Sequence, residues 1–95
     1  MSQWTFLTNH GHIWLCLARD PTLRLRDLAN LVGITERAAH RIVHDLAEDG
    51  YLEVTREGRR NRYRVVHEGP MRHPIEGSAA VGELLHLLPE HAETP

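Results

Sequence analysis

The sequence has few of the features that would indicate a cross-linked, secreted or membrane-embedded protein. Cys16 is the single cysteine among 95 residues, which excludes an internal disulfide framework and a cysteine-rich zinc module. No apolar run approaches the roughly 20 residues that span a bilayer, and the N-terminal residues have neither a basic segment nor a long apolar one. We therefore expect a cytoplasmic protein that does not enter a membrane.

Sequence signatures of catalysis and of cofactor binding are also lacking. The chain contains no GxSxG, P-loop or GxGxxG motif, and its length leaves little room for a ligand cavity beside a core. The pairs His12 with Cys16 and His40 with His44 have the i, i+4 spacing of metal ligands on a helix, yet no third ligand is evident. We predict that the protein is not an enzyme and holds no cofactor and no metal.

Lysine is absent, and the arginines are distributed unevenly. All 11 basic residues are arginine. Residues 56–72 contain six arginines and two glutamates, which gives a net charge of +4, whereas the segments before and after carry −2 and −4. A basic segment inside an otherwise acidic chain is suited to contact with phosphates.

The periodicity of apolar residues predicts three helices in the first half of the chain. A hydrophobic content of 41% in a chain of this length is typical of one small globular domain. Thr8 or Asn9 can cap a first helix that ends before Asp20. A second helix over residues 26–32 stops at Gly33, and a third begins after Thr35 and closes at residue 50.

The second half of the chain predicts a hairpin and a last helix. Alternating apolar and polar residues near Leu52 and Tyr63 indicate two strands, joined by the polar loop 57–61. Pro74 can occupy the first turn of a last helix that Pro89 ends. Its apolar stripe consists of Val81, Leu84, Leu85 and Leu88.

The run from Leu25 to Leu52 resembles the helix-turn-helix segment of bacterial winged-helix regulators of the MarR and ArsR type. The positions in step with that pattern are Leu25, Leu28, Ala29, Ile34, Thr35, Leu46, Gly50 and Tyr51. The resemblance implies an α+β, mostly α fold: a winged helix-turn-helix with a three-helix core, a two-stranded wing and an additional C-terminal helix. It also implies a small stand-alone bacterial transcriptional regulator.

The resemblance divides the chain into three parts. Residues 1–72 are the expected DNA-binding domain, residues 73–89 the C-terminal helix and residues 90–95 a flexible tail. The apolar stripe of the last helix can either cover the core of its own domain or meet a second copy across a two-fold axis. We predict the second arrangement, a homodimer. The residues predicted to form its interface are Trp14, Val81, Leu84, Leu85 and Leu88.

The predicted DNA contacts lie on the third helix and on the wing. Those on the third helix, the recognition helix, are Thr35, Glu36, Arg37, His40, Arg41 and His44. Arg37 and Arg41 stand one turn apart and can each contact guanine in bidentate fashion, or they can be solvated or paired with Glu36 and Asp45. The predicted contacts to the backbone or minor groove are Arg26, Arg59, Arg60 and Arg62.

The function predicted from these residues is sequence-specific binding of double-stranded DNA by a homodimeric transcriptional regulator. One alternative is a protein-interaction adaptor, because winged-helix surfaces also dock onto proteins. A second alternative is a repressor that responds to a small effector or a metal. The sequence identifies neither the effector nor the operator, and it does not distinguish activation from repression.

Overall fold

The computed structural model describes residues 3–89. Its helices are α1 (Asn9–Arg19), α2 (Leu25–Val32) and α3 (Glu36–Glu48), and its hairpin consists of β1 (Leu52–Glu57) and β2 (Arg60–Val65). Two 3-10 helices follow, Pro74–Glu76 and Val81–Leu87. Within residues 3–89 no helix is long and apolar enough to cross a membrane. The predicted tail, residues 90–95, lies outside the described residues.

The ends of the three α-helices follow local chemistry. The Thr8 hydroxyl accepts a hydrogen bond from the backbone N–H of Gly11 at 3.3 Å, which caps α1. Gly33 and Gly50 follow α2 and α3 with φ of 85° and 88°, a left-handed conformation that glycine adopts without strain. The predicted caps and stops are confirmed, although α2 begins at Leu25, one residue earlier than expected.

The core is centred on α1, and Trp14 lies within it. Trp14 is only 1% exposed, and its indole N–H donates a hydrogen bond to the carbonyl of Tyr51 at 3.1 Å. The prediction that Trp14 contributes to a surface between two copies is therefore wrong. An amphipathic spacing shows that this side chain faces away from solvent, but it does not show whether its own domain or a partner covers it.

The hairpin joins the core at its base and extends beyond it at its tip. Leu52 pairs with Val65 and Val54 with Tyr63. The N–H of Tyr63 donates to the carbonyl of Pro21 at 3.0 Å, so the connection between α1 and α2 runs beside β2. Leu52 and Tyr63 are buried, whereas Val54 is 45% exposed because the strands continue past the helices. The tip is a turn of Gly58 and Arg59, shorter than predicted.

The segment after the hairpin is not the single α-helix that the sequence predicts. Gly77 has φ of 63° and ψ of −128°, which no helical residue adopts, and this break separates the two 3-10 helices. Val81 is 8% exposed and belongs to the core, so its assignment to an interface between copies is also wrong. Leu84, Leu85 and Leu88 are partly buried against the same core. The stripe thus covers its own domain, and the homodimer stays a prediction.

Gly69 marks a place where the backbone approaches an aromatic ring. A Cβ atom built on Gly69 would lie 2.4 Å from Cε1 of Tyr51. That ring cannot easily move, because its hydroxyl donates to the carbonyl of Pro70 at 2.5 Å. Gly69→Ala is expected to lower the free energy of unfolding by about 1–3 kcal/mol through overpacking.

Urea unfolding of Gly69→Ala checks this expectation, and Gly11→Ala is the matched control. A Cβ on Gly11 would meet Leu7 at 3.4 Å, an ordinary contact, and Gly11 lies inside α1. The control is expected to be neutral or stabilising by up to about 1 kcal/mol, since alanine favours a helix. Equal unfolding midpoints for the two variants would contradict the close approach at Gly69.

Candidate nucleic-acid interface

Helices α2 and α3 form a two-helix unit with one face on the core and the other in solvent. α3 turns Ala39, Ile42 and Val43 inward. Thr35 caps α3, because its hydroxyl accepts a hydrogen bond from the N–H of Ala38 at 3.0 Å. All six residues predicted on the reading face are exposed: Thr35, Glu36, Arg37, His40, Arg41 and His44.

The first half of α3 presents two arginines beside a shallow groove. The groove is lined by Thr35, Arg37, Ala38, His40 and Arg41. The side chains of Arg37 and Arg41 form no hydrogen bond or ion pair with any residue of the described range 3–89. Both guanidinium groups therefore keep all of their donors for an external partner, as bidentate recognition of a base or a phosphate requires.

The second half of α3 and the residue directly after it are acidic, and the carboxylates of Asp45 and Asp49 there already have partners within the protein. Asp45 Oδ2 lies 2.9 Å from His10 Nε2 on α1, and this hydrogen bond holds the pKa of Asp45 below its usual value. Asp49 Oδ2 lies 2.7 Å from Nη1 of Arg72. The alternative in which Asp45 pairs with Arg41 is thus not the arrangement found. The face open to a polyanion therefore consists of the beginning of α3 and exposed His44, whose Nε2 lies 3.9 Å from Oε1 of Glu48.

On the hairpin, three of the five arginines, Arg56, Arg60 and Arg64, already have intramolecular partners. Arg60 donates from Nη2 to the carbonyl of Thr22 at 2.7 Å. Arg64 holds Glu53 across the strands through two contacts, 2.9 Å from Nε and 2.7 Å from Nη2, and these lower the pKa of Glu53. The net charge of residues 56–72 therefore overstates the charge available to a ligand.

Arg59 and Arg62 are the predicted wing arginines that keep their donors. Arg59 lies at the tip of the hairpin and Arg62 in β2, and the exposed side chain of each forms no hydrogen bond with any other described residue. Asp20 lies near Arg62 and Arg60. Its pKa is lowered mainly by hydrogen bonds from the hydroxyl and N–H of Thr22, and further by these two arginines. Arg26 is exposed near the start of α2.

The sequence did not predict the anchor of Arg60. Thirty-eight positions separate Arg60 from Thr22, and no local pattern connects them. The bond ties the turn end of β2 to the connection between α1 and α2, so Arg60 orients the hairpin relative to the helices. Of the other predicted hairpin arginines, Arg59 lies at the turn, and Arg62 lies near Asp20.

Comparison with known proteins identifies the fold. Residues 13–56, which include most of α1, all of α2 and α3, and most of β1, match the IclR helix-turn-helix domain. The chain is a winged helix-turn-helix protein. The predicted fold class is confirmed by this match together with the observed helices and hairpin. No curated protein matches the chain.

Among solved structures, the chain is similar to the zinc-dependent MarR family transcriptional regulator AdcR in its Zn(II)-bound state. The TM-score is 0.59 and the identity 19%, with 96% of this chain and 57% of that regulator covered. The winged helix-turn-helix chain thus spans little more than half of the length of that regulator, and the likeness shows the fold. The two matches together show the winged helix-turn-helix fold. The resemblance to ArsR-type regulators stays a prediction.

Substitution of the residue that caps α3 tests what stabilises the beginning of this helix. Thr35→Ala removes the hydroxyl that accepts the Ala38 N–H and is expected to lower the free energy of unfolding by about 1 kcal/mol. Thr35→Ser retains the hydroxyl and is expected to unfold near the wild-type midpoint. Thermal unfolding measures both. Equal losses in the two variants would show that the methyl group, not the hydrogen bond, stabilises this end of the helix.

Proposed function

We propose that the protein is a sequence-specific regulator that binds double-stranded DNA as a homodimer. The first half of α3 enters the major groove, and the hairpin contacts the backbone or the minor groove. One observation carries the proposal: Arg37 and Arg41 are exposed one helical turn apart, without an intramolecular partner among residues 3–89. A helix fits the major groove, where each base pair presents a distinct pattern of donors and acceptors.

Within this proposal, the residues of α3 have different tasks. Arg37 and Arg41 read bases, since arginine forms bidentate contacts with guanine O6 and N7. Thr35, at the start of the helix, faces the phosphates together with the free backbone N–H groups of the first turn. Glu36, His40 and His44 border the two arginines and contribute hydrogen bonds to bases or sugars.

The wing and α2 supply contacts that set affinity and orientation. Arg59 and Arg62 contact phosphates, because their guanidinium groups are exposed and without an intramolecular hydrogen bond in the described part of the chain. Arg26 contacts the backbone from the start of α2. Arg60 supports this arrangement by holding β2 against Thr22, and any phosphate contact that it makes uses its remaining donors.

The adaptor alternative finds less support in the composition of the exposed face. A surface that docks onto protein is expected to present an apolar patch. Ala38 is the one apolar residue in the groove at the start of α3, and its neighbours there are Thr35, Arg37, His40 and Arg41. For the metal-responsive alternative, no group of three metal-ligating side chains lies together within residues 3–89.

Selection from a pool of random duplex DNA tests the proposal. The purified chain is incubated with the pool at about 50 mM and about 200 mM salt, a range in which phosphate contacts weaken strongly, and the bound DNA is sequenced. We expect an enriched motif with two-fold symmetry whose half-sites lie about 10 base pairs apart. Binding that enriches no motif at either salt concentration would reject sequence-specific recognition.

The role of the wing gives a further prediction. Arg59→Ala is expected to weaken binding to all duplexes to a similar extent and to reduce the slope of log K against log salt by about 1. Fluorescence anisotropy at several salt concentrations measures the slope. Arg64→Ala is the matched control, because the Arg64 guanidinium already holds Glu53, and its slope should change less. A changed base preference in Arg59→Ala would assign Arg59 to base reading instead.

A further inference from the structure

We infer that two copies of the chain meet through an N-terminal aromatic arm, Trp4 to Phe6, and the cleft beside it. The inference deepens the proposed function, since it names the surface on which the proposed homodimer forms. It differs from the predicted interface in its centre: Trp14 and Val81 belong to the core and form part of the cleft wall, Leu84 also lines the cleft, and the arm is added.

The arm exposes more aromatic surface than a small protein usually leaves in water. Trp4 is 67% exposed and Phe6 is 92% exposed. Their rings stack edge to face with centroids 4.9 Å apart, which holds the two side chains together as one protruding unit. Tryptophan and other aromatic side chains are enriched among the residues that dominate binding energy at protein interfaces.

A cleft of about 650 Å³ lies directly beside the arm. It is bordered by the start of α1, the second half of α3 and the segment after the hairpin. Apolar side chains line it, among them Leu7, Leu46, Met71 and Leu84. Phe6 itself forms part of its edge. The arm and the cleft are therefore parts of one continuous surface.

The polar groups at the rim of the cleft already have partners. His10 lies against Asp45 at 2.9 Å, and Arg72 against Asp49 at 2.7 Å. The carboxylate of Glu76 accepts a hydrogen bond from the backbone N–H of His73 at 3.1 Å. Each of these three carboxylates keeps a hydrogen-bond partner when an apolar arm enters the cleft, which lowers the cost of covering it.

The arrangement fits a second copy of the same chain. A two-fold interface requires one surface to carry both partners of every contact, because residue i meets residue j and residue j meets residue i. Here the protruding aromatic pair and an apolar cleft occur side by side on one protomer. The arm of each copy can enter the cleft of the other, and the four aromatic rings then gather near the two-fold axis.

The area available comes close to that of a small specific interface. A buried aromatic side chain contributes about 150–250 Å², so two arms with the cleft walls that they cover approach the roughly 1,200–2,000 Å² of a specific interface. The cleft borders Asp45 and Leu46 in the second half of α3 and Asp49 directly after it, whereas the groove with Arg37 and Arg41 lies in the first half. Joining two copies here leaves both reading faces open.

Trp4 provides the probe for the test, because the chain has two tryptophans and Trp14 is buried. Analytical ultracentrifugation of the full chain without DNA gives the dissociation constant of the dimer. Acrylamide quenching over the same protein concentrations reports whether Trp4 becomes protected as the dimer forms. The double variant Trp4→Ser with Phe6→Ser leaves Trp14 as the reference signal and removes the arm.

We expect wild-type dimers in which Trp4 becomes protected, and a dissociation constant at least roughly 30-fold higher in the double variant. Leu31→Ser is the control, because Leu31 is 64% exposed but lies on α2, and its dimer should match the wild type. A monomer at all concentrations, or a dimer in which Trp4 stays fully quenchable, overturns the inference. Protection of Trp4 in a monomer would mean that the arm lies in the cleft of its own chain, or that an apolar compound is bound there. Either result also overturns the inference.

The test of the dimer interface is independent of the test of DNA binding. A protected dimer that selects no DNA motif would reject the proposed function and leave the interface standing. Motif selection by a chain that shows no protected dimer would reject the interface and leave DNA recognition standing.

Discussion

Replacing Arg37 and Arg41 together with alanine is expected to remove most of the sequence preference of the protein. Each bidentate arginine contact discriminates against a wrong base by about 1–3 kcal/mol, so the double variant should lose about 2–6 kcal/mol in binding its selected duplex. Anisotropy titrations with the selected duplex and a scrambled duplex measure the difference in affinity. Neither arginine has an intramolecular partner among residues 3–89, so folding should be little affected.

The matched variant carries lysine at both positions. Arg37→Lys with Arg41→Lys retains two positive charges but lacks the planar fork that contacts guanine O6 and N7. We expect the lysine variant to keep most of its affinity for the scrambled duplex and to lose the preference for the selected one. Equal preference in the lysine variant and the wild type would show that these positions act only as charges near phosphates.

Trp14→Ala is expected to have the largest effect on stability. Trp14 is 1% exposed in the centre of the core, and removal of a buried tryptophan side chain costs about 3–5 kcal/mol. Because small domains have free energies of unfolding of about 5–15 kcal/mol, this loss can leave a large unfolded fraction. Urea unfolding followed by circular dichroism measures it.

Trp14→Phe separates packing from hydrogen bonding. The phenyl ring fills much of the site but cannot donate to the carbonyl of Tyr51, which still accepts a hydrogen bond from the N–H of Val66 at 3.0 Å. The phenylalanine variant should therefore lose clearly less stability than the alanine variant. If Trp14→Ala instead unfolds at the wild-type midpoint and only dissociates a dimer, Trp14 lies at an interface and the core assignment is wrong.

The local parts of the fold could be predicted from the sequence because they depend on neighbouring residues. The caps at Thr8 and Thr35 need a hydroxyl beside the first turn of a helix. The stops at Gly33 and Gly50 need a residue that adopts positive φ. The exposed position of Arg37 follows in the same way, because the apolar side of α3 identifies the opposite side.

The contacts that decide which arginines remain available could not be predicted. Arg64 holds Glu53, and Arg72 holds Asp49, because the fold brings together residues that are distant in sequence. A count of charges along the chain cannot detect such pairing. The predicted DNA contacts at Arg59 and Arg62 stay predictions, and these side chains remain exposed.

The apolar stripe of the C-terminal segment packs against a different surface from the one predicted. Val81, Leu84 and Leu85 have a spacing that fits an amphipathic helix, and this spacing indicates a covered face without showing what covers it. The sequence favoured a second copy, whereas in the structure these side chains lie on their own core. The backbone at Gly77 then limits the segment to short 3-10 helices.

The central claim is that the first half of α3 and the tip of the hairpin form the surface that meets DNA. Backbone amide chemical shifts of the isotopically labelled chain, recorded by NMR during titration with duplex DNA, test it most directly. The account predicts that the largest shifts cluster at residues 35–41 and near Arg59, while the cleft bordered by Leu46 and Met71 changes little. Shifts centred on that cleft, or no shifts at saturating duplex and low salt, would contradict it.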